Sequence, residues 1–246
     1  MSRIKGKVAL VTGANRGIGR AFVEELLAAG AAKIYATARN TENLAALVEG
    51  NEDKVIPVAL DVNKLEAIEA LAVEFKDIAL LINNAGIARF AGLISAKSVQ
   101  DARDEMETNY FAPLNIIRAF APTLKENGGG AIVNISSVAA YVNFPMLGSY
   151  SASKAAVHSL TQGVRAELAA QGTHVVGVYP GPIDTDMTAN IPLDKTSPNV
   201  VAKEVLNAVE LGLEDVNPDP MSVEFSANYF SDVKALEKNV ATMLPE

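Results

Sequence analysis

Lys7-Val-Ala-Leu-Val-Thr-Gly13-Ala-Asn15-Arg16-Gly17-Ile18-Gly19 decides the fold of this chain. Its first half is a short apolar run stopped by glycine, the pattern of a strand buried on both faces of a parallel sheet. Its second half is a glycine-rich turn that feeds Arg20-Ala-Phe-Val-Glu-Glu-Leu-Leu-Ala-Ala, a segment with helical spacing and a stop at Gly30. Glycines let a backbone approach a pyrophosphate closely, and the following helix N-terminus offers N–H donors and a partial positive charge. A glycine-rich turn alone is a weak signal, since ordinary strand-to-helix packing uses the same residues. Its place as the first such turn of the chain gives it weight.

The pattern repeats outward from that unit. Lys33-Ile-Tyr-Ala-Thr-Ala38 reads as a second strand ended by Arg39 and Asn40, with a modest helix over 41–48 after it. Residues 54–60 form a third strand in which Pro57 points to a sheet edge. Asp61 and Val62 close it, and Asn63 is expected to cap a helix running to Phe75. Ile78-Ala-Leu-Leu-Ile-Asn83 is a buried strand followed by Asn84-Ala85-Gly86. A long helix is expected over 98–126, kinked at Pro113, which has no N–H to offer the Asn109 carbonyl. Gly128-Gly-Gly130 breaks it and opens a fifth strand that closes on Ser136 and Ser137. A helix from Tyr150 to about Gln171, a strand over 174–179 and a stop at Pro180-Gly181-Pro182 follow. Residues to Ser197 read as an irregular loop, 198–214 as a helix, 215–219 as a short edge strand and 222–240 as a terminal helix. Strand and helix alternate throughout, which predicts an α/β domain over 1–246: a doubly wound parallel sheet of Rossmann type with helices on both faces.

Composition narrows the function. A chain of 246 residues, 49% hydrophobic, can bury one sizeable core. The formal net charge of −8 argues against nucleic acid or an anionic membrane as partner. There is no cysteine, so disulfides, thiolate nucleophiles and cysteine-ligated metals are excluded. The two histidines, His158 and His174, fit neither a metal site nor a catalytic triad. No signal core and no membrane-length apolar stretch is present, so a cytoplasmic protein with a small-molecule substrate is expected.

In a sheet of this kind ligands sit beyond the carboxyl ends of the strands. There the chain offers the glycine turn, Arg39, Asp61, Asn83 to Gly86, Ser137 and Pro180 to Thr185. A carboxylate after the second strand would suit the ribose diol of NAD, whereas arginine suits a 2′-phosphate. Arg39, with Arg16 as a second cation, therefore predicts NADP(H), and Asp61 is placed to meet the adenine ring. Tyr150 and Lys154 share a helix face. A phenol ordinarily ionises near pH 10, about three units too high for efficient work at neutrality; a neighbouring ammonium would lower that value. Ser137 would then hold the substrate oxygen, and the freed Asn109 carbonyl a water linked to Lys154. Each pair, taken singly, reads equally as ordinary surface or packing chemistry.

Together these residues resemble the short-chain dehydrogenase/reductase family. Thr12-Gly-Ala-Asn-Arg-Gly-Ile-Gly19 is similar to its TGxxxGxG turn, Asn83-Asn-Ala-Gly86 to its NNAG strand end, and Ser137, Tyr150 and Lys154 to its Ser…YxxxK set. Asn109 matches the asparagine of its catalytic tetrad, and Pro180-Gly-Pro-Ile183-Asp-Thr185 the stretch that anchors the nicotinamide carboxamide. The resemblance implies Tyr150 as general acid, Lys154 also gripping the nicotinamide ribose, Ser137 orienting substrate and Asn109 holding a relay water. It implies cofactor contacts at Gly13, Asn15, Arg16, Gly17, Ile18, Gly19, Arg39, Asp61, Val62, Asn83, Ala85, Gly86, Tyr150, Lys154, Pro180, Gly181, Ile183 and Thr185, and a homo-oligomer, dimer or tetramer. No metal is implied.

The expected activity is hydride transfer between NADP(H) and a carbonyl/alcohol pair. Val138, Tyr141, Phe144, Leu147, Met187 and Ile191 read as an apolar substrate wall, with the 186–198 loop setting specificity. An alcohol dehydrogenase working oxidatively, a nucleotide-sugar epimerase or dehydratase, and a non-catalytic NADP(H) sensor are the alternatives. The C-terminal segment departs from the family pattern, ending in a polar helix where many relatives have a glycine-rich strand.

Overall fold

The computed structural model describes residues 2–244. Seven strands form one sheet: β1 (Val8–Val11), β2 (Lys33–Ala38), β3 (Val55–Ala59), β4 (Leu80–Asn83), β5 (Ala131–Ile135), β6 (His174–Val178) and β7 (Asp215–Val216). Every pairing is parallel and the order is β3-β2-β1-β4-β5-β6-β7. The chain winds outward from β1 to one edge and then from β4 to the other. This leaves a topological switch point between β1 and β4, where such sheets bind ligands. Pro57 lies on β3, an edge strand, where its missing N–H costs no interior ladder bond.

The pleat sorts each apolar run onto two faces. Ala9, Val11, Leu80, Ile82, Val133 and Val176 pack into one core with α1 (Gly17–Ala28) and α7 (Pro198–Leu211). Leu10, Leu81, Ile132 and Val175 pack into the opposite core with α3 (Leu65–Glu74), α5 (Ala112–Glu126) and α6 (Gly148–Leu168). The short α2 (Ala45–Val48) continues a 3₁₀ turn at Thr41–Leu44. Gly172, in the left-handed region at φ 76°, closes the turn after α6.

Four local expectations are corrected. The long helix is α4 (Gln100–Met106) joined to α5 by a π turn at Glu107–Phe111, where Ala112 N–H reaches back to the Glu107 carbonyl. The register slip falls beside Pro113, where the regular ladder has no donor, so the proline is absorbed by a wider turn. Asn63 does not cap α3; its Nδ2 donates to Thr108 Oγ1 at 3.1 Å, and Lys64 is the capping position. The 186–198 segment is more regular than a plain loop, with a 3₁₀ turn at Asp186–Thr188 and a bridge between Ile183 and Thr196. The terminal helix is two helices, α8 (Pro220–Ser231) and α9 (Val233–Val240), because the Asp232 carboxylate accepts the Ala235 N–H and starts a new helix.

A third apolar cluster joins these last two helices to the segment after β5. Val138, Val142 and Phe144 are buried against Phe225, Leu236 and Val240, and the Phe144 and Phe225 rings stack at 5.5 Å. Among the described residues no helix is long and apolar enough to cross a membrane.

Candidate active site

The switch point is tied together at Thr12. Its hydroxyl accepts the N–H of Asn84 at 2.9 Å and of Ala85 at 3.0 Å, while Asn84 Nδ2 donates to the carbonyls of Thr12 and Gly13. The turns after β1 and β4 are thereby one rigid unit. Its glycines are steric requirements. A Cβ on Gly19 would collide with the Gly13 carbonyl oxygen, and Gly17 sits at φ 52° with space for a methyl only 3.0 Å from Thr185 Cγ2. The N-terminus of α1, whose Gly17 and Ile18 line the cleft, has neither a side-chain cap nor an acidic residue in its first turn.

One cleft runs over this unit and collects residues from the ends of β1 through β6. Of the positions expected to serve catalysis or contact the cofactor, all but three line it. Gly19 lies beneath as the packing glycine just described. Asn83 is buried, and its Nδ2 donates to Asn134 Oδ1 at 2.8 Å under the cleft floor. Asn109 is buried behind it: its Oδ1 accepts the Ile87 N–H and its Nδ2 donates to the Ile87 carbonyl and to Ser153 Oγ, all at 2.9 Å.

The two serines separate by contact. Ser136 donates to the Lys154 carbonyl at 2.9 Å and braces α6. Ser137 lines the cleft, caps the next turn by accepting the Ala139 N–H at 3.2 Å, and donates its hydroxyl to the Pro180 carbonyl at 3.4 Å. Lys154 Nζ donates to the Ile135 carbonyl at 2.8 Å and stands 5.6 Å from the centre of the Tyr150 ring. The expected lowering of the phenol is not found. Burial pushes Tyr150 up to about 12, opposed by Ser137 and assisted by the Glu105 charge. Lys154, turned to a carbonyl in the same buried place, is itself brought down to about 8 by desolvation.

The cations also divide. Arg16 is paired with Asp186 at 3.0 Å across the cleft mouth, whereas Arg39, at the end of β2, makes no ion pair among the described residues. Asp61 lines the cleft and accepts the Asn63 N–H at 3.1 Å.

The apolar substrate wall is largely corrected. Of its six residues only Met187 lines the cleft. Val138 and Phe144 are buried under α8 and α9, and Tyr141 stacks on Tyr179 and Tyr229. Their neighbours lie far along the chain, beyond the reach of a local pattern. Phe90, Leu93, Met146, Met187 and Leu193 are exposed apolar side chains on the segments that leave β4, β5 and β6, and of these Met187 lines the cleft. Asn84 was missed as the brace of the glycine turn, although the doubled asparagine at the strand end was its signal.

Known proteins are similar to this chain in sequence and in fold. The family profile described as short chain dehydrogenase matches residues 7–196. A 3-oxoacyl-[acyl-carrier-protein] reductase of Vibrio cholerae is 38% identical over 189 residues, 75% of this chain and 77% of that protein. A short chain dehydrogenase from Burkholderia cenocepacia, solved in complex with NADP, superposes over 100% of both chains with TM-score 0.92 and 43% identity. A short-chain dehydrogenase from Sphingobium yanoikuyae, in complex with NADPH, covers 98% of this chain and 97% of its own with TM-score 0.80 and 25% identity.

Proposed function

The chain belongs to the short-chain dehydrogenase family, and from that premise we propose that it is an NADP(H)-dependent reductase of hydrophobic ketones or aldehydes. The observation that carries this reading is the convergence of Ser137, Tyr150 and Lys154 on one cleft with the glycine turn and Arg39.

The cleft fits a dinucleotide. Gly13, Gly17 and the uncapped N-terminus of α1 would hold the pyrophosphate, Arg39 a 2′-phosphate, Asp61 and Val62 the adenine, and Ile183 and Thr185 the nicotinamide end. When bound, NADPH supplies the hydride. Every other task falls to side chains. Ser137 orients the carbonyl oxygen. Tyr150 gives that oxygen its phenolic proton. Lys154, close to half-protonated near pH 8, grips the nicotinamide ribose and passes a proton on. Asn109 holds the back of the site in register and, by its backbone, the relay water.

The protonated Tyr150 phenol is the form that donates to a carbonyl in reduction, and its phenolate the form that accepts the alcohol proton in the reverse reaction. The substrate class rests on Met187, exposed in the cleft, and on the exposed apolar side chains Phe90, Leu93, Met146 and Leu193 of the segments that follow β4, β5 and β6. The name of the Vibrio cholerae relative supports adding 3-oxoacyl thioesters to the candidates.

A spectrophotometric screen of NADPH consumption over ketones, aldehydes, quinones and 3-oxoacyl thioesters tests the proposal. Turnover abolished by Tyr150→Phe is expected. Absence of turnover with every carbonyl, in a protein that binds NADPH, would overturn it.

A further inference from the structure

Glu105 is a charged side chain, only 1% exposed, that the reaction just described does not use. Its Oε1 accepts the Arg89 backbone N–H at 2.7 Å and its Oε2 the Ser149 hydroxyl at 2.5 Å. Among the described residues it has no cation of its own: the Arg89 guanidinium is turned outward to Asp101 and Asp104. A buried carboxylate without a counter-charge is costly and persists only through short charge-assisted hydrogen bonds such as these.

What those bonds join is informative. Asn109, one helical turn beyond Glu105, clamps both backbone groups of Ile87. Glu105 clamps Arg89. Ala91 then accepts the Gly148 N–H at 3.0 Å, and Leu93 packs so closely that a Cβ on Gly148 would lie 2.7 Å from its Cγ. Alternate residues 87, 89, 91 and 93 are thus pinned in turn, laying the strap after β4 along the first turn of α6, which carries Ser149 and Tyr150. Phe90, between two pinned positions, sits at φ 53°, a strained conformation for a bulky side chain that surrounding contacts must hold. Phe90, Leu93 and Ile94 of the strap are exposed apolar side chains.

We propose that Glu105 is a positioning residue for the reductase site, clamping the strap at Arg89 to Ser149 so that the apolar strap residues and Tyr150 are held in one fixed relation to the substrate. This rests on the reading of the cleft as a carbonyl reductase site. It makes Glu105 and the strap a determinant of substrate handling, separate from the cofactor half of the cleft.

The test compares Glu105→Ala, which removes both bonds, with Glu105→Gln, which keeps the side chain's size, an acceptor for Arg89 N–H and a polar group for Ser149. Parent and variants, as full chains, are assayed with NADPH and benzil, and their amide exchange is mapped over 87–97. In Glu105→Ala, kcat/KM for benzil should fall by about tenfold or more, exchange in the strap should rise, and the NADPH dissociation constant should stay within twofold. Glu105→Gln should recover most of kcat/KM. Faster exchange in Glu105→Ala with unchanged kcat/KM would reduce Glu105 to a structural strut and overturn the proposal. Unchanged exchange would overturn the clamp itself, whether or not benzil is turned over. An NADPH-binding parent that leaves benzil and every other carbonyl untouched would instead sink the reductase reading, while the exchange data still decide the clamp.

Discussion

Lys154 donates its ammonium to the carbonyl of Ile135, the last residue of β5, at 2.8 Å. That bond hangs a helix side chain from the end of the sheet and fixes where its charge sits: near the Tyr150 ring, at 5.6 Å from its centre, but not on the phenol oxygen. Desolvation takes Lys154 down to about 8 from 10.5. Between those values the unfolded chain binds more protons than the folded one, so stability rises with pH across the window and the penalty is fully present below it. Lys154→Met removes that dependence. The unfolding free energy of the parent, measured relative to Lys154→Met by urea denaturation, should climb between pH 8 and 10.5, by up to about 3 kcal/mol. A flat difference would place Lys154 in solvent. In kinetics the same variant should weaken both NADPH binding and rate, and a purely kinetic effect would remove its ribose role.

Tyr150→Phe deletes one oxygen in a half-buried site and leaves Lys154 on Ile135. Loss of a general acid costs about a hundredfold to ten-thousandfold in rate. NADPH affinity, read by fluorescence titration, should change by less than about twofold, since uniform binding is untouched. Full activity in this variant would remove Tyr150 from the chemistry.

The sheet was readable because β1, β2, β4, β5 and β6 are each a short apolar run with a glycine, proline or polar stop, and a parallel strand buried on both faces needs little else. The Ser137–Tyr150–Lys154 set was readable because YxxxK spacing puts two side chains on one helix face. What was not readable depended on partners remote in sequence. Arg16 looked like a free cation until Asp186 met it, and Phe144 looked like a substrate contact until Phe225 covered it. Pro113 announced a break in the long helix, but only the backbone bond from Ala112 N–H to the Glu107 carbonyl shows that the break is a π turn. Asp232 had the residue type of an N-cap, hidden inside a continuous polar pattern.

The cation division gives a cofactor prediction. Arg39 is the cation left without an ion pair at the end of β2, so Arg39→Asp should shift the NADPH-to-NADH preference by about ten- to hundredfold, the worth of a charge-assisted hydrogen bond. An unchanged preference in kcat/KM would show that Arg39 is a solvated surface residue. Asp186→Asn releases Arg16 from a pair exposed on both sides. Its effect on NADPH affinity should be a tightening of no more than about fivefold, shrinking as salt is raised.

The glycine turn gives a steric prediction. Gly19→Ala would push a methyl into the Gly13 carbonyl oxygen and to within 2.5 Å of Asn84 Nδ2, both rigid parts of the Thr12 brace. Neither can yield without opening the turn, so NADPH binding should be lost. Gly163→Ala, where nothing lies within 4 Å of the added Cβ, is the control and should bind as the parent does. Normal NADPH binding by Gly19→Ala would mean that the turn does not need its close approach.

The C-terminal helices give the last. Phe225 stacks on Phe144 at 5.5 Å and closes the cluster that seats α8 and α9 on the segment after β5. Phe225→Ala should destabilise the fold by about 3 kcal/mol, the usual cost of truncating a buried phenylalanine. Ser137 should nonetheless keep its place, because the next residue's N–H is held independently by the Pro180 carbonyl at 3.1 Å. Thermal unfolding should therefore fall clearly while kcat at a temperature well below the transition stays within a few-fold of the parent. A collapse of kcat at that temperature would show that α8 and α9 hold the catalytic serine, making the C-terminal segment part of the active site rather than a cover behind it.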